Sequence, residues 1–188
     1  GEIRLDSQTH HSKLIPQGVS VLTIPQQKVW LVFRNYHLDW QGQELTQILK
    51  RVQQWENAGN HIQGIQIDFD AKTKHIHQYA LFLSQLRKQL PQHYQLSITG
   101  LMDWTNVTNQ ETLNLLNNTI DELVIQTYQS STTIPNYAAY LKKVSALKLP
   151  YKIGIVQYGE WHRPPKLEND PNFKGYVVFL LRSKPQNN

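Results

Sequence analysis

Two aspartates that alternate with apolar residues on one short segment are the first place in this chain where chemistry could occur. The segment reads Gly64-Ile65-Gln66-Ile67-Asp68-Phe69-Asp70. Side chains on a strand point to opposite faces with a period of two, so Ile65, Ile67 and Phe69 share one face and Gln66, Asp68 and Asp70 the other. Acids turned into the interior of a fold are costly unless they are hydrogen-bonded or functional. One acid behind another disfavours ionisation, which is the condition a general acid needs. Asp70 is therefore the candidate proton donor, and Asp68 the group that tunes it. The ordinary alternative is a carboxylate that ends a strand and caps the next helix.

Polar and aromatic residues gather where other strand-like segments end. Val29–Tyr36 carries Arg34 and Tyr36, and Gln95–Leu101 leads into Asp103 and Trp104. Glu122–Gln129 places Gln126 and Tyr128 on the same face, and Tyr151–Tyr158 leads into Glu160 and Trp161. Aromatic rings beside amides and carboxylates suit sugars, which offer apolar faces and a hydroxyl rim. Arg34, Tyr36, Asp103, Trp104, Gln126, Tyr128 and Trp161 are thus candidate substrate contacts. Glu160 is the candidate second carboxylate, because glycoside hydrolysis usually employs a flanking pair. Core packing is the ordinary alternative for each tryptophan, and Trp30 and Trp55 are assigned to it.

Such residues need elements that bring strand ends together. Strand-like runs rich in Ile, Val, Tyr and Phe recur at Val19–Ile24, Val29–Tyr36, Ile62–Asp70, Gln95–Leu101, Glu122–Gln129, Tyr151–Tyr158 and Gly175–Leu181. Helical periodicity predicts Glu44–Ala58, Thr73–Leu90 with Thr73 as N-cap, Glu111–Asn118 and Asn136–Lys148. Strands and helices repeating at about 30 residues imply right-handed parallel crossovers. An open nucleotide-binding sheet would carry a glycine-rich turn after its first strand, yet His37-Leu38-Asp39-Trp40-Gln41-Gly42 stands there. The expected architecture is a parallel (β/α) barrel of TIM type. It should be small, incomplete or irregular, since a full barrel takes about 200 residues or more.

Composition sets the outer bounds. With 188 residues and 39% hydrophobic content, the chain supports one domain, placed at 18–188 behind a polar leader, 1–17, expected to be flexible. The lack of cysteine removes disulfides, thiolate metal sites and a cysteine nucleophile. His10, His11, His75 and His77 have no spacing that closes a metal site, so neither metal nor other cofactor is implied. The net charge of +5 comes from scattered residues such as Lys50, Arg87 and Lys142. That pattern reads as a solvated surface, not a nucleic-acid face. No run approaches the roughly 18 apolar residues of a membrane span. Gly stands first instead of Met, as in a processed or trimmed chain that has already lost any signal peptide, and export to a periplasmic or envelope location is expected.

From Val29 to Leu181 the chain resembles a family of uncharacterised bacterial proteins known only as a domain of unknown function. The matching stretches are Gln66-Ile67-Asp68-Phe69-Asp70-Ala71, Leu96-Ser97-Ile98-Thr99-Gly100-Leu101, Val124-Ile125-Gln126-Thr127-Tyr128-Gln129 and Ile153-Gly154-Ile155-Val156-Gln157. It is also similar to chitinase-type glycosidases, in which a strand of alternating acids ends in a catalytic Glu. That resemblance implies Gly64 as the motif glycine, Gln66 and Asp68 in place of the first two acids, Asp70 at the catalytic position, and Tyr128 near the reacting sugar. Gln66 lacks the carboxylate, and Asp70 is a methylene shorter than Glu; a displacement of about 1 Å can cost around a hundredfold in rate. The expected function is glycoside-hydrolase-like action on carbohydrate at the barrel mouth. The alternatives are a barrel that only binds carbohydrate and one that binds a partner chain.

Overall fold

A computed structural model describes residues 1–17 and 20–181. The strands are β1 (Glu2–Leu5), β2 (Ser12–Ile15), β3 (Lys28–Asn35), β4 (His61–Asp68), β5 (Gln95–Leu101), β6 (Glu122–Gln126), β7 (Tyr128–Gln129), β8 (Thr132–Thr133), β9 (Tyr151–Val156) and β10 (Phe173–Phe179). The α-helices are α1 (Gln43–Asn57), α2 (Ile76–Gln89), α3 (Gln110–Asn117) and α4 (Tyr137–Leu141). Eight strands form one sheet in the order β10-β9-β6-β5-β4-β3-β1-β2, and β7 pairs with β8 in a separate hairpin. Every neighbouring pair from β3 to β10 is parallel, as is β1 on β3; only β2 runs antiparallel.

The expected small, incomplete or irregular barrel does not close among the described residues. The sheet is open, with β2 and β10 at its two edges. The order from β3 to β10 never reverses, so right-handed crossovers lay successive helices on the same face. Six strands in that succession fall short of the eight that close a barrel. The protein is therefore mixed α/β with a mostly parallel central sheet.

The helix-covered face holds the main core. Ile65 and Ile67 of β4, Leu96 and Ile98 of β5, Leu123 and Ile125 of β6, and Ile153 of β9 are buried there with Ile48 and Val52 of α1 and Tyr79 and Leu83 of α2. The alternation read along β4 holds, because the intervening residues face the other way. On that second face a polar row crosses four strands. Gln66 Nε2 donates to Ser97 Oγ at 2.8 Å, Ser97 Oγ donates to Glu122 Oε1 at 3.1 Å, and Lys152 Nζ lies 2.8 Å from Glu122 Oε2. Each buried polar group finds its partner one strand away, so the row is satisfied without a covering helix.

Several elements differ from expectation. Residues 1–17, expected as a flexible leader, include β1 and β2, and Ile3 is fully buried. Asp6 shapes the turn between them by accepting from the backbone N–H of Gln8 and Thr9, each at 3.0 Å. Ile3 and Leu14, which pair across the two strands, are too few apolar positions among polar neighbours to show a period. Of the expected strand Val19–Ile24, Val19 lies outside the described residues and 20–24 is irregular, tied down by Asn60, which bonds Leu22 O and Ile24 N. Thr73 does not cap the α2 helix; a short 3₁₀ turn, Thr73–His75, intervenes and the Thr73 hydroxyl donates to Asp103. The expected Asn136–Lys148 helix divides into α4 and a 3₁₀ turn at Val144–Leu147.

Gly64 fixes how β4 lies against β5. The β3–β4 register shifts between Val29, paired with Ile62, and Trp30, paired with Gly64, so one residue of β4 bulges. A Cβ at Gly64 would sit 2.1 Å from Gln95 O and 2.7 Å from its carbonyl carbon, both backbone. Gly64→Ala should therefore destabilise by about 2–3 kcal/mol, read as a lower urea midpoint. Gly100→Ala, whose nearest obstacle at 2.8 Å is the Leu123 side-chain methyl, should cost less because a side chain can move aside.

Candidate functional site

Parallel strands deliver their carboxyl ends to one edge of the sheet, where loops rather than ladder partners surround the side chains. Register decides which of them meet. Arg34 is paired with Asp68, and Leu101 with Gln126, so these residues point the same way from adjacent strands. Together with Asp70, Asp103 and Tyr128 they line a cleft of about 660 Å³. The β7–β8 hairpin and α4 contribute Gln129 and Tyr140 to its wall.

At the floor, Arg34 binds both acids of the β4 motif. One guanidinium nitrogen donates to Asp68 Oδ1 at 3.0 Å and to Asp70 Oδ1 at 3.2 Å, and the other donates to Asp70 Oδ2. Asp68 Oδ1 also accepts from Thr99 Oγ1 at 2.7 Å. Asp70 itself is half-exposed at the rim. The like-charge repulsion expected between the two acids is thus offset by a cation bonded to both. Hydrogen bonds to Asp70 push the Arg34 pKa further up, with the Asp68 charge adding to it. Carboxylates that accept from a guanidinium serve as acceptors, which suits gripping a hydroxylated ligand better than donating a proton.

Tyr128 forms a wall, its ring 5.0 Å from Phe179 and tilted by 46°. Burial pushes its phenol pKa up, and the negative charge of Asp68 adds to the effect. The phenol therefore stays protonated and can donate a hydrogen bond. Across the cleft, Asp103 Oδ2 accepts from Thr73, whereas Asp103 Oδ1 is buried with no hydrogen-bond partner among the described residues. An unpaired buried acceptor is expensive unless a ligand or water supplies the donor.

Of the residues singled out from the sequence, Arg34, Asp68, Asp70, Asp103, Gln126 and Tyr128 come together in this cleft. Four do not line it. Trp104 is 1% exposed and donates from Nε1 to Ala71 O at 2.8 Å, so its ring has no free face and packs in the core. Trp161 is stacked on Tyr137 at 4.9 Å and meets Tyr176 edge-on. Glu160 projects with a side chain 78% exposed, 3.4 Å from the His162 ring. Tyr36 engages Arg4, whose guanidinium lies 4.3 Å from its ring centre, and accepts a hydrogen bond from it. Sequence reasoning missed Phe179 and Thr99, although both follow the same alternation at strand ends. It also missed Lys72, which carries no pattern. Among the described residues no group of three or more His, Cys, Asp or Glu could hold a metal ion, and no helix is long and apolar enough to cross a membrane.

The buried phenols give a pH dependence with a definite sign. Burial raises the pKa of Tyr79, Tyr128 and Tyr151 above the ordinary value of 10.0. Above pH 10 the unfolded chain loses these protons while the folded chain keeps them, so stability falls as pH rises. Urea unfolding followed between pH 8 and 11 should show this loss setting in near pH 10. In Tyr128→Phe the decline should be shallower, with stability below pH 9 little changed.

A search of the curated proteins returned no match, and a search of the solved structures returned none. Residues 36–136, more than half of the chain, match the family described as Domain of unknown function (DUF3142). This span contains the β4 motif, Asp103 and Tyr128, and the chain belongs to that family.

Proposed function

We propose that the protein binds carbohydrate in the cleft at the carboxyl ends of its parallel strands. The observation that carries this reading is the convergence of Arg34, Asp68, Asp70, Gln126 and Tyr128 in one cavity of about 660 Å³. Carboxylates and an amide that accept from hydroxyls, a protonated phenol that donates, and aromatic and aliphatic walls are what a sugar ring needs. The strand order without reversal is that of a barrel wall, and we read the sheet as an incomplete (β/α) barrel with its ligand at the usual end. We extend the same proposal to export to the periplasm or envelope, where polysaccharides are met.

Binding without turnover is favoured over hydrolysis, because Arg34 holds both acids of the motif as acceptors and Glu160 stands outside the cleft. One observation favours the hydrolytic alternative. Asp103 brings a second carboxylate to the same cleft as Asp70, with its Oδ1 unpaired. A flanking pair is the requirement of glycoside hydrolysis, so Asp103 replaces Glu160 as partner in that reading.

A glycan array followed by titration calorimetry tests the proposal. A sugar ligand is expected, and Tyr128→Ala should weaken its binding about tenfold through loss of the wall and the phenol donor. Absence of any glycan ligand would overturn the carbohydrate reading. If array hits are cleaved, Asp70→Asn and Asp103→Asn should each lower turnover by about 10²–10⁴-fold, and the binding-only reading gives way to the hydrolase.

A further inference from the structure

The mouth cleft carries more acid than base. Among the charged residues that line it, Asp68, Asp70 and Asp103 meet only Arg34 and Lys72, an excess of one negative charge. That excess is not spread evenly. Arg34 bonds both Asp68 and Asp70, so these two carboxylates share a cation held at the floor. Lys72 is exposed and makes no ion pair among the described residues, and an exposed ammonium is largely screened by solvent and salt.

Asp103 is the acid without a counter-ion. It stands in the 3₁₀ turn Met102–Asn106 that follows β5. Its hydrogen-bond partner among the described residues is the Thr73 hydroxyl alone, and its Oδ1 is buried with none. A hydroxyl supplies a donor but no charge, and a carboxylate drawn away from water is costly until a cation compensates it. A sugar hydroxyl placed here would leave that charge as it is. An ammonium group would satisfy the oxygen and the charge together, in a bond about twice as strong as one between neutral groups. The walls favour the same sign. Tyr128, Tyr140 and Phe179 line the cleft, and the faces of aromatic rings attract cations. A concavity with low-dielectric walls also focuses the field of the acids within it.

We infer that the sugar bound in the mouth carries a free primary amine, whose ammonium group lies against the Asp103 carboxylate while Asp68, Asp70 and Gln126 accept from its hydroxyls. The inference rests on the carbohydrate reading of the mouth and adds the charge of the ligand. Amino sugars are thereby set apart from their N-acetylated counterparts, which are neutral and bring an amide where the cation would be. A linear polyamine offers the same charge, but it has no hydroxyls for Gln126 and the two acids at the floor to take up.

Titration calorimetry on the full chain tests this with glucosamine and its β-1,4-linked dimer to tetramer, the N-acetylated sugars of the same length, neutral cello-oligosaccharides, and spermidine. At low salt the amino sugars should bind about tenfold more tightly than either neutral series, and added salt should narrow the gap. Asp103→Asn keeps the shape and an acceptor for Thr73 but removes the charge, so the advantage of the amino sugars should disappear. Lys72→Gln removes a repelling charge at the exposed rim and should strengthen amino-sugar binding about threefold, the opposite direction from a loss of structure. Amino sugars that bind no better than their neutral counterparts, or an advantage that survives Asp103→Asn, would overturn this inference and leave the mouth reading standing. Spermidine binding as tightly as the amino sugars would overturn it in favour of a polyamine ligand. Failure of every saccharide, charged or neutral, would overturn both.

Discussion

Strand order is the constraint on which the rest of this structure depends. From β3 to β10 each parallel strand is added on the same side as the last, and a right-handed crossover allows the connecting helix only one face. The apolar half of every strand must therefore turn to that face, where Ile65, Ile67, Leu96, Ile98 and Leu123 meet the helices. The other half of each strand has no helix to pack against. Its side chains are left to satisfy one another across the sheet, as Gln66, Ser97, Glu122 and Lys152 do.

That division of faces explains why the site contains ion pairs as well as apolar walls. Near the middle of the strands the second face is buried, so polar groups there must be fully partnered or their desolvation is uncompensated. Toward the carboxyl ends the ladder stops, and solvent and loops take over. Arg34, Asp68 and Thr99 sit at the transition and are still bonded to one another. Asp70 and Asp103 lie a step further out, where one is half-exposed and the other keeps an unpaired oxygen. The change from ladder-bonded to loop-surrounded polar groups is what makes this end of the sheet the candidate site.

The two edges of the open sheet are handled differently. At β2, Gln47 accepts from Leu14 N at 2.8 Å and Gln43 donates to Ser12 O at 3.0 Å, so α1 side chains engage an edge that could otherwise add a strand. The β10 edge carries exposed Val178, followed by exposed Leu180. The asymmetry is consistent with β1 and β2 finishing one side of the sheet.

The sequence by itself determined the local alternation. Ile65, Ile67 and Asp68 took the faces their spacing assigned, because the period of a strand is a property of the backbone and needs no partner. The helical stripe Leu45, Ile48, Leu49, Val52 and Trp55 was legible for the same reason; all but the half-buried Leu49 are buried. Only the tertiary structure decided what those faces meet. Spacing along the chain could not place Arg34 between Asp68 and Asp70, since that depends on the β3–β4 register, which shifts by one residue between Ile62 and Gly64. Nor could it separate Tyr128, which lines the cleft, from Trp104, which packs in the core. Both are aromatic residues at or just beyond a strand end, and the difference lies in which neighbours cover the ring. Closure was undecided for a related reason. A repeat of strand and helix fixes the direction of winding, but whether the edges meet depends on how many strands pair, a long-range property that no local pattern encodes.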